Sequence, residues 1–137
     1  MTSTDEARRV AERYASVWLA DDLAGILDCY SDEFTLHYFG NNPFSGTHAG
    51  KDASLQVLLD VGALAPRKLL AVDEILAGPG SAVMVVREDL TAGGKTTEIR
   101  RVLRFRIEGE QFTDCWLYEE DQALIDAAWS AGGGASA

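Results

Sequence analysis

The chain has 137 residues, 47% of them hydrophobic, and a formal net charge of −10. That is enough apolar material for one domain with its own core, and it excludes a disordered chain. A surface this acidic repels phosphate backbones and excludes nucleic acid as a partner, and no apolar run approaches the roughly 20 residues of a membrane span.

The N-terminal MTSTDEARR lacks the apolar stretch of a secretory signal, so a cytoplasmic location is expected. Ser3-Thr4-Asp5-Glu6 reads as a capping box, Ser3 to Glu6, that opens a helix. Ala7, Val10, Ala11, Tyr14, Val17 and Trp18 recur at helical spacing, so this helix turns Tyr14 and Trp18 to the interior, one turn apart. Asp21-Asp22 breaks it and caps a short second helix through Leu23, Ile26 and Leu27. Phe34 to Phe39 reads as a short strand, ended by the turn chemistry of Gly40-Asn41-Asn42-Pro43. A third helix is expected from about Gly50 to Leu64, and Pro66 stops it.

The remainder reads as strand. Leu69–Leu76, Ala82–Leu90, Thr96–Ile107 and Phe112–Tyr118 are joined at Gly78-Pro79-Gly80, Ala92-Gly93-Gly94 and Glu108-Gly109-Glu110. Short glycine turns between four strands predict an antiparallel meander. A last helix, Gln122 to Trp129, precedes the sequence AGGGASA, which reads as a flexible tail over 131–137. Helices first and a meander second predict an α+β domain over 1–130, with helices against one face of a bent sheet and a pocket between them.

Five local patterns, in this order, carry a family resemblance. They are Tyr14 with Trp18; Asp32; His37 and Gly40 with Pro43, Gly46 and Gly50; Gly109 before Phe112 and Trp116; and Asp121-Gln122 with Asp126 and Trp129. Over Ala7 to Trp129 the chain resembles the nuclear transport factor two-like superfamily, and within it the SnoaL-like group of polyketide cyclases. The resemblance implies a cone-shaped barrel: a strongly bent antiparallel sheet with three N-terminal helices on its concave side. It implies a hydrophobic, polyketide-like small-molecule ligand and a homodimer paired through the outer sheet face. Fold alone does not assign function, because members of this superfamily range from isomerases to proteins without chemistry.

The candidate site is therefore read from residues. His37 is the one side chain on the first strand that titrates near neutral pH, and it reads either as a general acid/base or as a hydrogen-bonded core histidine. His37 and Tyr38 point to opposite faces, so only one of them can line a pocket. Asp121 is either a second acid/base that orients His37 or the N-cap of the last helix. Arg101 shares strand parity with Ile99, Leu103 and Phe105, whereas Arg100, Arg104 and Arg106 lie on the other parity. An inward arginine must be paired or bind an anion. Asp114, Glu88 and Asp121 are its candidate partners, and its sharper role is to stabilise an enolate or carboxylate. Likeness to ketosteroid isomerases implies that Tyr14 donates a hydrogen bond to a substrate oxygen. The carboxylate–arginine–carboxylate set of limonene-type epoxide hydrolases is not evident, since no Asp or Glu sits near Arg101 in sequence on its own face.

Trp18, Phe39, Phe44, Trp116 and Tyr118 are the candidate aromatic walls, for substrate or as plain core. Cys29 and Cys115 sit among apolar neighbours outside any CxxC and read as buried reduced thiols, and two histidines make a zinc site improbable. No phosphate loop or dinucleotide fingerprint is present, so no cofactor and no metal are expected. Two readings follow: an enzyme performing a cofactor-free proton-transfer rearrangement (cyclisation, isomerisation or dehydration), or a non-catalytic binding or dimeric assembly module built on the same pocket.

Overall fold

The computed structural model describes residues 2–134. The first helix, α1 (Thr4–Leu19), starts at the expected capping box: the Glu6 amide donates to Ser3 Oγ at 3.1 Å and the Ser3 amide donates to Glu6 Oε1 at 3.2 Å. Its buried residues Ala7, Val10, Ala11 and Tyr14 form one stripe. Asp21 then takes a left-handed conformation, φ 55°, and Asp22 caps α2 (Leu23–Asp28) by accepting from the Gly25 amide at 3.1 Å. The two aspartates thus make the corner between the helices.

Among the described residues one six-stranded sheet follows, in the order β2-β1-β6-β5-β4-β3. Its strands are β1 (Tyr30–Tyr38), β2 (Gly46–His48), β3 (Arg67–Gly78), β4 (Ser81–Ala92), β5 (Lys95–Glu108) and β6 (Gln111–Glu119). The expected meander is β3 to β6, with positive φ at Gly80, Gly93, Gly94 and Gly109 in its hairpin turns. Two features differ from the sequence reading. The segment around Gly46-Thr47 pairs with β1 as a short edge strand, and β1 runs parallel to β6. That parallel pairing joins strands separated by the whole meander, so no hairpin turn signals it. The sheet is curved and does not close. Register shifts in β3/β4, in β5/β6 and between Tyr30 and Thr35 of β1 add local twist.

The helices α1, α2 and α3 (Lys51–Leu64) cover the inner face, α1 against β3 and β4, and α3 against β1. Ser54 ties α3 down, its hydroxyl donating to the carbonyls of Phe34 and His48 at 3.1 and 2.9 Å. The last helix, α4 (Gln122–Gly134), packs on β6 and α3. It extends past Trp129 through 134, where a tail was expected; residues 135–137 of that tail lie outside the described residues. One continuous core joins α1 to the inner face, with Phe105 and Phe112 stacked at 4.0 Å and Tyr14 edge-on to Phe112 at 5.0 Å. Among the described residues no helix is long and apolar enough to cross a membrane.

Candidate functional site

The helices do not fill the hollow of the sheet. A cavity of about 470 Å³ remains, within the range of small-molecule sites. Its walls are apolar: Leu23, Ile26 and Leu27 from α2, Leu55, Leu58 and Leu59 from α3, and Leu36, Leu103 and Leu117 from the sheet. Into this wall project the polar groups Tyr14, Tyr30, Arg67, Glu88 and Arg101.

Arg101 is 2% exposed, and strand alternation puts it on the inner face with Ile99, Leu103 and Phe105. A buried guanidinium survives only with partners, and Arg101 has three. Its Nε donates to Glu119 Oε1 at 2.9 Å and its Nη2 to Glu119 Oε2 at 2.7 Å, a bidentate fork. Its Nη1 donates to Glu88 Oε1 at 3.3 Å, and Nη2 reaches the Tyr38 hydroxyl at 3.4 Å. Burial opposes the charge of Arg101, but Glu88 and Glu119 more than offset it and hold the guanidinium firmly protonated. The set carries two carboxylates and one cation, a net −1 inside the protein. A carboxylate–arginine–carboxylate arrangement is therefore present, contrary to the reading from local sequence. Its members come from β4, β5 and β6, three strands rather than one.

Glu119 is the residue that the sequence reading missed. Cys115 and Leu117 alternate inward along β6, and Glu119 continues that parity. A bulge between Arg106 and Ile107 shifts the β5/β6 register by one residue. Without it, the hairpin pairing Ile107↔Phe112 would extend to put Arg101 opposite Tyr118; with it, Arg101 faces Glu119.

The second polar feature is the hydrogen bond between the hydroxyls of Tyr14 and Tyr30, 2.5 Å apart. Burial, reinforced by each other's proximity, raises the Tyr14 pKa well above its usual value; burial also raises that of Tyr30. Both phenols stay neutral at physiological pH. One donates to the other, and the acceptor's own O–H is left to donate to a ligand oxygen. Cys115 lines the cavity too, but burial pushes its thiol up to about 12, so it is no nucleophile near neutral pH. Both cysteines are buried and free. Among the described residues no group of three His, Cys, Asp or Glu gathers as a metal site.

The expected site divides. Arg101, Tyr14 and Trp18 line the cavity. His37 does not, and strand parity is the reason: Leu36 and Tyr38 point inward, so His37 lies on the outer face. There its Nε2 meets Asp114 Oδ2 at 3.0 Å, and its ring stacks on Trp116 at 4.7 Å with 3° between planes. The Arg104 guanidinium lies over the same indole at 4.7 Å. Trp116 is thus sandwiched outside, not lining the pocket. Phe39 and Tyr118, 42% and 41% exposed, stack on each other at 5.0 Å and also stand away from the cavity. Phe44 packs against the core from the loop before β2.

Asp121 caps α4, accepting from the Leu124 amide at 3.1 Å. Gln122 and Asp126 form a latch instead of a site. Asp126 Oδ1 accepts from Asn42 Nδ2 at 2.8 Å and from Gln122 Nε2 at 2.9 Å. A Cβ at Gly40, φ 106°, would collide with both Gln122 and Asp126, so only glycine lets the loop close on α4. Gly40, Gln122 and Asp126 therefore join the first loop to the last helix and do not line the cavity.

The family model for the SnoaL-like domain matches residues 11–115. The chain belongs to the SnoaL-like domain family. Its likeness to solved structures extends over nearly the whole chain. A Xanthomonas campestris protein of unknown function with a cystatin-like fold is 24% identical, with a TM-score of 0.82 over 95% of this chain and 99% of that one. A nuclear transport factor two-like protein from Burkholderia xenovorans LB400 is 19% identical, with a TM-score of 0.74 over 93% and 99%. TerC, crystallised with polyporic acid, is 15% identical, with a TM-score of 0.75 over 88% and 95%. At these identities the likeness establishes the nuclear transport factor two-like fold, and nothing further about this SnoaL-like chain. No curated protein matches it in sequence.

Proposed function

We propose that this SnoaL-like protein is an enzyme that moves protons, without a cofactor, on a hydrophobic oxygenated metabolite of polyketide type. The reaction class is cyclisation, isomerisation or dehydration. One observation carries the reading: Glu88 and Arg101, each 2% exposed, face a largely apolar cavity of about 470 Å³. Glu88 is the base. It takes the proton from a carbon beside a carbonyl, and the C–H electron pair becomes the enolate. Arg101 and the free O–H of the Tyr14–Tyr30 pair stabilise the oxygen that gains charge. Protonated Glu88 then returns the proton to a different atom, which restores the starting state. Glu119 takes no proton; it holds the guanidinium in place. TerC's polyporic acid supports an oxygenated ring system as the ligand class.

The outer face completes the proposal. The exposed Phe39–Tyr118 stack beside the His37–Trp116–Arg104 sandwich makes an aromatic, mixed-charge surface, which we assign to pairing with a second copy of the chain.

The test is solvent deuterium exchange. With 2-tetralone as the probe ketone, the wild type should incorporate deuterium beside the carbonyl faster than buffer does. Glu88→Gln should lose about 100-fold or more of that rate. A second reading rests on the mutual pairing of Glu88, Arg101 and Glu119, which also suits a rigid cavity floor in a binding protein. Binding of the probe with no exchange above the buffer rate would favour it.

A further inference from the structure

Arg67, the first residue of β3, sits at the α3 end of the cavity. Pairing of Arg67 with Leu90 puts it on the inner face, and it lines the cavity beside Pro66 and Leu69. Unlike Arg101 it has no counter-ion among the described residues. Among the described residues it makes no hydrogen bond and no ion pair, and its Nε is buried without an acceptor. Its guanidinium lies over the ring of Trp129, 5.7 Å from the centroid, and the Trp129 indole N–H is also buried without an acceptor. Trp129 itself is fully buried. Trp129 does not line the cavity, so the guanidinium of Arg67 is the group that faces a ligand, and a cation without an acceptor there is costly unless something accepts from it. The charge of Arg67 also reaches into the cavity, where it counteracts part of the burial-driven rise in the Tyr30 pKa.

We infer that Arg67, with the Trp129 indole beneath it, is an anion anchor, and that the ligand of this cavity is a hydrophobic carboxylate or an equally acidic enol. The inference rests on the reading of this cavity as the ligand site. Charge bookkeeping supports it. The Glu88–Arg101–Glu119 set carries a net −1 and the whole chain −10, so without a free cation the cavity would repel an anion. Arg67 supplies that cation at one end, among Leu55, Leu58 and Leu69, which suit an apolar ligand body. An anion held at Arg67 leaves the remainder of the ligand free to extend toward Glu88 and Arg101, where the proton chemistry is proposed. The anchor thus fixes which carbon meets the base.

The probes are 2-naphthoate and its neutral analogue 2-naphthamide, titrated by calorimetry at low ionic strength. The wild type should bind the carboxylate at least about tenfold more tightly than the amide, the scale of one charge-assisted hydrogen bond. Arg67→Gln should bring the two affinities within about twofold by weakening the carboxylate alone. Arg67→Lys should retain part of the preference. A preference unchanged in Arg67→Gln, equal binding of both probes by the wild type, or no binding of the carboxylate at millimolar concentration overturns the inference. Nitrogen-15 spectra of the wild type give an answer that needs no variant to fold. The Arg67 side-chain N–H resonances should move with naphthoate and stay put with naphthamide; unmoved Arg67 resonances under saturating naphthoate contradict it. Carboxylate preference without deuterium exchange leaves the anchor in place and removes the proposed chemistry; exchange without preference does the reverse.

Discussion

Arg101 and Glu119 stand directly opposite each other across β5 and β6, and their side chains meet at 2.7 Å with almost no exposure to solvent. Glu88, one step along the diagonal on β4, closes the set from the cavity side. Breaking a buried pair by removing one partner leaves an uncompensated charge. Arg101→Met should therefore cost about 3–5 kcal/mol in urea unfolding at pH 7. The variant leaves two carboxylates buried side by side with no cation between them, a repulsion that protonation relieves. The deficit relative to wild type should shrink as pH falls from 7 to 5. A deficit that is constant across that range would mean that the carboxylates are not confined as described.

The tyrosine pair should behave as one unit. Tyr14→Phe and Tyr30→Phe each remove one end of a buried hydroxyl–hydroxyl bond, at about 1–2 kcal/mol apiece. The double variant should cost little more than either single one, which a double-mutant cycle by chemical unfolding would reveal. Strict additivity would separate the two hydroxyls energetically.

The latch between the Gly40 loop and α4 has a pH signature. The side-chain hydrogen bond from Asn42 lowers the Asp126 pKa, with a smaller contribution from Gln122. A carboxylate with a depressed folded pKa contributes stability above its unfolded pKa and loses it as pH falls through the folded value. Wild type should thus lose part of its advantage over Asp126→Ala below about pH 4, the ordinary aspartate range. Thermal melts at pH 7 and pH 3 measure the difference; an equal gap at both would remove the ionised Asp126 from the account.

Much of the fold was legible because it follows from local chemistry. Ser3 and Glu6 marked the first helix, Asp22 the second, and glycine turns the hairpins of the meander. The inward parity of Arg101 could be read from Ile99, Leu103 and Phe105 alone. The partners of Arg101 were only half legible. A tight, unshifted hairpin brings Glu88 near it, but the bulge at Arg106 and Ile107 decides that Glu119, not Tyr118, is opposite. A bulge is a tertiary compromise with no short-range residue signature in this strand. His37 misled for a related reason. Its chemistry is suited to catalysis, yet Leu36 and Tyr38 claim the inner face and parity expels it to the Asp114–Trp116 surface.

That outer surface makes an assembly prediction. Light scattering of the wild type should give about twice the 14.8 kDa chain mass at micromolar concentration. Tyr118→Lys with Phe39→Lys should return it to the monomer value while the cavity keeps its probe affinity. A monomeric wild type would contradict the assignment of this face.

The central claim is that acid–base chemistry belongs to Glu88 inside the cavity and not to His37 outside it. The direct measurement is the deuterium exchange rate of one probe ketone by wild type, Glu88→Gln and His37→Gln, side by side, with melting temperatures recorded for all three. The account predicts a loss of about 100-fold or more for Glu88→Gln. For His37→Gln it predicts a rate within about twofold of wild type and a stability loss of no more than about 1 kcal/mol, the scale of one partly exposed hydrogen bond. A folded Glu88→Gln with wild-type exchange, or a folded His37→Gln without it, would contradict the account.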